Sequence, residues 1–153
     1  MNYIDIGEDE VRYEIASSVI ILNKYVGGTT WYAKPTLMAS NDSVDADIKE
    51  IAIGFETPFN TNAESFSKLG EKEFNLTRPN AGIFNMAEYE LIRESHIKIT
   101  PMSRNEDGTW KARATWRGIA DLHWDDKFGE NVPFYAEFDT LLRVVWGGKK
   151  VKA

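Results

Sequence analysis

The sequence predicts a mainly β fold (α+β by strict count): an antiparallel sheet of about six strands, curled into a barrel or folded as a two-layer sandwich, with one short helical insertion. Apolar residues alternate with polar ones along runs of strand length, and clusters of turn residues separate the runs. Hydrophobic residues make up 42% of the 153 residues, enough for one core. We predict a single domain over residues 1–146 and a flexible basic tail over residues 147–153.

The first half of the chain contains three such runs. Residues 11–26 alternate and end at the turn signal VGGTT. In residues 30–40, Pro35 predicts an edge strand or a bulge, because proline donates no backbone hydrogen bond to a neighbouring strand. Residues 48–56 place three apolar side chains on one face.

The middle of the chain, residues 57–85, loses this period of two. Asn62 is a good cap for a short helix over Ala63–Leu69, and Gly70 is a good stop for it. We predict irregular structure for the remainder. A segment this long without regular structure is typical of a functional loop or of chain ordered against the sheet.

The second half returns to alternation, in residues 86–104, Trp110–Trp124 and 134–146. The Asp-Gly pair in Asn105–Gly108 supplies the positive φ of a tight turn, which predicts a hairpin there. Fifteen extended residues span about 50 Å, too long for one flat strand in a domain of this size. We therefore expect the Trp110–Trp124 strand to bend, with a bulge or kink at Gly118.

One face of that strand carries Trp110, Trp116 and Trp124, with small residues between them. Burial of each tryptophan contributes up to about 4–6 kcal/mol before opposing terms, so this face is predicted to be a wall of the core. An alternative interpretation is an open aromatic pocket near Trp116, His123 and Trp124, in a small-ligand-binding β-barrel or a small enzyme. A further alternative is that some of these tryptophans are exposed at a surface that binds a protein partner.

The opposite face carries Lys111, Arg113 and Arg117. Basic residues beside aromatics bind single-stranded nucleic acid in some proteins, but such binding needs a positive field, and the rest of this chain is acidic. We therefore predict no direct nucleic-acid partner. The simpler explanation is that these basic residues pair with Glu137 and Asp139 on a neighbouring strand.

The sequence carries no recognisable catalytic motif. The chain has no cysteine, which excludes disulfides, thiolate zinc sites and cysteine nucleophiles. Asp121 and His123 share a face, and His96 lies in the preceding strand, but zinc needs three or four ligands and no metal-binding spacing is present. Phosphate-binding, dinucleotide-binding and nucleophile-elbow signatures are also missing. We predict a protein that is not an enzyme and that has no cofactor or metal.

The charge distribution suggests the class of partner. Residues 1–146 contain 15 basic and 24 acidic residues, since the last seven residues hold three lysines and no acid. The acids cluster in residues 5–10, 42–50 and 121–130. An acidic protein repels nucleic-acid backbones and anionic lipid and attracts a basic protein. The sequence shows no apolar run of about 18 residues and no signal peptide, so we predict a cytoplasmic protein that does not enter the membrane.

These observations predict a non-enzymatic binding protein that docks on or neutralises a basic protein partner, such as a toxin or a nuclease. In size and acidity it is similar in type to bacterial immunity proteins and phage inhibitors, although no motif ties it to one family. A structural subunit of a phage or secretion assembly is a third hypothesis. The predicted contact surface includes the acidic N-terminal residues and these side chains: Asp42, Asp45, Asp47, Asp121, Trp124, Asp125, Asp126 and Glu130.

Overall fold

The computed structural model describes residues 1–24, 31–43, 50–54, 57–59, 74–79, 83–84, 92–122, 129–146 and 149–150. These residues form eleven strands and contain no helix. The strands are β1 (Tyr3–Ile6), β2 (Val11–Lys24), β3 (Trp31–Ser40), β4 (Glu50–Gly54), β5 (Thr57–Phe59), β6 (Phe74–Pro79), β7 (Ile83–Phe84), β8 (Ile92–Arg104), β9 (Trp110–Leu122), β10 (Gly129–Trp146) and β11 (Lys149–Lys150). The mainly β prediction is confirmed. The predicted count of about six strands is too low, and the predicted helix lies outside the described residues.

All eleven strands belong to one hydrogen-bonded sheet. Its order is β6-β8-β9-β10-β1-β2-β3-β4-β7, with β11 attached to β10 and β5 attached to β3. The two edge strands β6 and β7 do not pair with each other, so the described strands are not closed into a barrel. Inward-facing residues from both halves of this order join one core cluster, so a single sheet supplies the core.

Strands β8, β9 and β10 form an antiparallel meander. The β8–β9 turn is closed by bonds from Asn105 N to Thr109 O (2.8 Å) and from Gly108 N to Asn105 O (3.1 Å). Gly108 has a φ of 87°, the conformation that glycine adopts without steric cost. The predicted hairpin is therefore confirmed.

The long strand β9 contains no bulge at Gly118, contrary to the prediction. Gly118 pairs in continuous register with Ser95 on one side and Phe134 on the other. The register shifts lie instead in the neighbouring strands, at two points in β8 and between Gly129 and Val132 in β10. An extra residue in a partner strand increases the local twist just as one in β9 would.

Pro35 lies inside the sheet, but no strand pairs with it on one side, so no backbone N–H is needed there to donate a hydrogen bond. β4 pairs with β3 from Thr36 to Ser40, and β5 pairs with it from Trp31 to Ala33. Pro35 therefore falls in the gap between those two neighbours, while its other side faces Ile20 of β2. Pro35 is therefore neither in an edge strand nor at a bulge, as was predicted. It lies between two short neighbouring strands, where its missing N–H interrupts no backbone hydrogen bonding.

Segments outside the main alternating runs also contribute strands. Residues 57–85, predicted to be largely irregular, supply β5, β6 and β7, and two of these form the edges of the sheet. Within the predicted basic tail, Lys149–Lys150 pairs with Val145–Trp146 of β10. The sheet thus extends past residue 146, the predicted domain boundary.

The short strand β1 separates two long strands at the centre of the sheet. It pairs antiparallel with β10 on one side and with β2 on the other. Farther along, β10 and β2 pair directly and in parallel, from Leu142 and Ile20 to Trp146 and Lys24. Because four residues cannot fill the space between strands of 18 and 14 residues, a gap remains. We call this gap the split; it is bounded by residues 16–19 of β2 and 138–141 of β10.

Candidate acidic partner interface

The strand register gathers acidic segments that are distant in sequence at one end of the sheet. Ile6, at the end of β1, pairs with Val11 and with Phe134, so the β1–β2 turn lies beside the start of β10. Gly7 N donates to Pro133 O across this junction (2.8 Å). The end of β3 and the start of β4 meet at the same end of the sheet, because Ser40 pairs with both Glu14 and Glu50.

We call this region the acidic end. Six acids there are exposed, and they come from four separate segments: Glu8, Asp9, Glu10, Asp42, Glu50 and Glu130. Glu8, Asp9 and Glu130 line one cleft of about 350 Å³. The described residues that form its walls include no lysine, arginine or histidine. The cleft therefore presents three carboxylates without a basic neighbour in its described walls.

Two unusual stretches of backbone shape the cleft. On one side, Gly7 (φ 82°) and Glu10 (φ 51°) form a tight turn closed by Glu10 N donating to Gly7 O (3.1 Å). On the other, Gly129 (φ 112°) and Asn131 (φ 55°) flank Glu130 where the register of β10 shifts. Positive φ is uncommon for residues with a side chain, so both segments are held by their surroundings.

Asp121 helps to hold the backbone around Glu130 in this conformation. Its Oδ1 accepts a hydrogen bond from Asn131 N (3.2 Å), and the residue is only 4% exposed. An irregular β10 segment leaves a backbone N–H without a strand partner, and the Asp121 carboxylate satisfies it. Asp121, which the sequence placed in the partner contact, is buried and is therefore not part of the proposed surface.

The structure places the other predicted contact residues as follows. Glu130 lines the cleft. Asp42 is exposed beyond β3, in a turn where Asn41 Oδ1 accepts from Ser43 N (2.8 Å). Asp45, Asp47, Trp124, Asp125 and Asp126 lie outside the described residues. The positive-φ Asn131 was missed, because no local sequence pattern distinguishes it from any surface asparagine.

Trp116, from the predicted aromatic pocket, is a core residue. It is 0% exposed and packs edge-on against Phe134, with ring centres 6.0 Å apart. Its Nε1 donates to the buried Ser95 Oγ (2.8 Å). Trp116 therefore belongs to the core wall that the alternation favoured and offers no surface to a ligand. His123 lies outside the described residues, as does Trp124.

The outer face of the same strand carries an ion-paired arginine. Arg113 donates to Glu137 Oε1 (3.2 Å) and to Asp139 Oδ1 (3.1 Å), so the predicted cross-strand pairing is confirmed for this residue. It also donates to Met1 O (3.0 Å) and Asn2 Oδ1 (3.3 Å). Burial alone would lower the pKa of Arg113, but its hydrogen bonds to the two carboxylates outweigh this effect and raise it.

Glu137 is the centre of this outer-face network. Tyr3 donates its hydroxyl to Glu137 Oε2 (3.0 Å), and Tyr135 does so at 3.4 Å. The hydrogen bond from Arg113 first, and that from Tyr3 second, lower the pKa of Glu137 below its ordinary value. Burial and then the contact with Glu137 raise the pKa of Tyr3. Arg12 extends the network by stacking 4.0 Å from the centre of the Tyr3 ring.

This geometry predicts an acid-sensitive contribution to stability from Glu137. Because its folded-state pKa is lowered from 4.5, the stabilisation is complete above that ordinary value and is lost as the pH falls through the folded-state pKa. We expect the unfolding temperature to fall less for Glu137→Gln than for the parent between about pH 6 and about pH 3. Thermal unfolding by circular dichroism measures this. Glu14→Gln, an exposed acid on the same face, is the control, and identical profiles for Glu137→Gln and the parent would contradict the prediction.

Among the residues that the structure describes, no three histidine, aspartate or glutamate side chains form a group able to hold a metal ion. That part of the chain also contains no helix with the length and apolar character needed to cross a membrane. No protein-family model matches the chain, and no curated protein or solved structure shows significant similarity to it.

Proposed function

We propose that this protein is a non-enzymatic, cytoplasmic binding protein whose acidic end docks on a basic protein partner and neutralises it, in the manner of immunity proteins and phage inhibitors. The observation that carries the proposal is the cleft in which Glu8, Asp9 and Glu130 meet without a basic residue in its described walls. These acids come from the β1–β2 turn and from β10, and the fold brings them together.

The cleft suits a lysine or arginine side chain of the partner. Its described lining places the apolar residues Val11 and Val132 beside the three carboxylates. Several acids in one cleft add their fields at the position of an approaching cation. A long basic side chain can place its methylene groups against the apolar residues and its charge among the carboxylates.

The remaining acids of the acidic end act mainly on the encounter. Glu10, Asp42 and Glu50 are exposed around the cleft, where each attracts a basic surface over about one Debye length, about 8–10 Å at ordinary ionic strength. Charges at the edge of an interface chiefly raise the association rate, and added salt removes their effect. We therefore expect fast, salt-sensitive association with the partner.

Two double variants with equal charge test the proposal. Glu8→Gln with Glu130→Gln removes two acids from the cleft, whereas Glu106→Gln with Asp139→Asn removes two exposed acids outside the acidic end. Each protein is immobilised, the native host lysate is passed over it at low and at high salt, and the purified retained protein is then measured by surface plasmon resonance. We expect one basic protein whose affinity falls about tenfold for the cleft variant at low salt and about twofold or less for the control.

Three results would contradict the proposal. One is retention of no basic protein under either salt condition. The second is an equal loss of affinity in the two double variants, which would indicate a general effect of net charge. The third is affinity that does not change with salt, since a charged cleft at the surface must be screened.

A further inference from the structure

The end of the sheet opposite the acidic end carries the opposite charge. Strands β2, β8 and β10 end there, and β3 and β9 begin there. Four cations with described side chains lie within four residues of these strand ends: Lys34, Arg104, Lys111 and Arg143. We call this region the basic end. The acids among the described residues of this region are Glu106 and Asp107, both in the β8–β9 turn.

Three of the cations lie on the same face of the sheet. The backbone of Ile21 pairs with Arg143 on one side and with Lys34 on the other, so these two cations belong to one row across β10, β2 and β3. Lys111 pairs with Leu141, which lies two residues before Arg143 on β10. Paired residues share a face, and so do residues two apart on a strand. The three side chains therefore form one positive surface on the outer face.

Strand pairing adds further lysines to this end. The backbone of Trp146 pairs with Lys24 on one side and with Lys149 on the other. The backbone of Val145 pairs with Lys150. These lysines come from the end of β2 and from β11, which are distant in sequence. The sheet therefore separates charge along its strands, with acids at one end and cations at the other.

The positive surface is not neutralised by the fold. Lys34, Lys111 and Arg143 form no ion pair within the part of the chain that the structure describes, where the ion pairs involve Arg12 and Arg113 instead. Arg143 is half-buried, and its Nε has no hydrogen-bond partner among the described residues. A cation that has lost part of its hydration without gaining a counter-ion is stabilised by a carboxylate more than a hydrated cation is. A partner with clustered carboxylates fits this surface.

The two charged ends act independently of each other. A strand of 14 residues, such as β2, extends about 45 Å. Charges more than about 10 Å apart are largely screened at an ionic strength of about 0.1 M. The net charge of −6 therefore does not govern a contact made at one end, and the local charges do.

We propose that the basic end binds the acidic end of a second copy of this chain. The cleft of Glu8, Asp9 and Glu130 on one copy then faces Lys34 and Lys111 on the next. The contact uses two different surfaces, so each bound copy still has a free end and association continues head to tail, into chains or closed rings. This inference goes beyond the proposed function because it needs no other protein. A basic partner and a second copy compete for the same acidic end.

Sedimentation equilibrium of the purified chain at about 0.1 M and about 1 M sodium chloride tests the inference. We expect concentration-dependent association at the lower salt and a monomer at the higher salt. Lys34→Gln with Lys111→Gln should raise the Kd of self-association about tenfold, as expected for loss of two charge pairs. Lys98→Gln with Arg117→Gln, which removes two exposed cations nearer the middle of β8 and β9, is the matched control and should change the Kd about twofold or less.

A mixture of two variants shows which surfaces meet. Glu8→Gln with Glu130→Gln weakens the acidic end and keeps the basic end, whereas Lys34→Gln with Lys111→Gln does the reverse. At a protein concentration near the Kd of the parent, each variant alone should be mainly monomeric. The equimolar mixture should form dimers and no larger species, because one intact contact remains between the two variants.

Several outcomes would overturn the inference. One is a parent chain that stays monomeric at the lower salt, and another is association that is unchanged at the higher salt. A mixture that associates no more than its two components would show that the two ends do not meet. Binding of a monomeric parent to heparin or to phosphatidylglycerol vesicles would indicate an anionic partner of another class.

The failure of this inference is distinguishable from the failure of the proposed function. Lys34→Gln with Lys111→Gln keeps the acidic end intact, so this variant should retain the basic protein of the host lysate as the parent does. Retention of that protein by a chain that never self-associates would overturn the head-to-tail contact alone. Self-association without any retained basic protein would overturn the docking function alone.

Discussion

Replacing Trp116 with alanine is expected to lower the free energy of unfolding by about 4 kcal/mol. The side chain is 0% exposed, packs against Phe134, and donates to Ser95. The substitution creates a cavity in the core and leaves the buried Ser95 hydroxyl without its partner. Because small domains have a total stability of about 5–15 kcal/mol, a large share of it would be lost. Urea denaturation followed by circular dichroism measures the change.

Two further variants separate the contributions to that loss. Trp116→Phe retains most of the apolar volume and removes the N–H donor, so its loss should be smaller than that of Trp116→Ala. Met102→Ala changes an exposed apolar side chain and should alter stability by about 0.5 kcal/mol or less. A loss below about 1 kcal/mol for Trp116→Ala would show that this face of β9 is not the wall of the core.

Ile4→Ala is expected to lower the free energy of unfolding by about 3 kcal/mol. Ile4 is 0% exposed on a strand of four residues, and its backbone pairs with Ala136 on one side and Tyr13 on the other. Loss of its side chain weakens the anchoring of β1 and therefore the contact of both long strands with it. Urea denaturation measures the loss, and faster amide exchange in residues 11–14 and 134–137 should accompany it.

Ile4→Val is the control for this second prediction. It removes one methylene group and retains the β-branched shape, so the expected loss is about 1 kcal/mol. Equal losses for the valine and alanine variants would indicate that the site collapses around the smaller side chain. Unchanged amide exchange in β2 and β10 would show that β1 does not hold these strands in place.

The features that could be predicted from the sequence are those with a local signal. Alternation placed Ala112, Ala114 and Trp116 on the buried face of β9, because side chains in a strand point to opposite sides in turn. The Asp-Gly pair marked the hairpin because few other residues adopt positive φ. The opposite charges of Arg113 and Asp139 indicated their pairing, since two long alternating strands close in sequence tend to be neighbours.

The features that could not be predicted depend on long-range register. Nothing local shows that β2 and β10 pair in parallel beyond the end of β1, so the split has no signature in the sequence. Asp121 resembles any surface acid in the sequence, and its hydrogen bond with Asn131 depends on the shift of register in the opposite strand. The predicted bulge at Gly118 was wrong for the same reason, because the register shifts lie in the two strands that pair with β9.

The candidate interface lies between these two cases. Composition identified the acidic segments as a charged surface for a basic partner. That Glu8 and Glu130 share one cleft follows from the pairing of Ile6 with Phe134, and it required the fold. The sequence alone shows which residues are acidic, but only the strand topology shows which of them lie close together.

The central position of β1 has a consequence for the order of folding. The β8–β9–β10 meander joins consecutive strands through short connections, so its contacts form with little loss of chain entropy. The pairing of β1 with β10 joins residues such as Tyr3 and Glu137, which are 134 positions apart, and must await closure of a very long loop. The cleft of the acidic end and the split both border this late contact. A partly folded chain that retains only the meander would therefore lack both surfaces. The proposed binding of a basic partner would then require the fully folded protein.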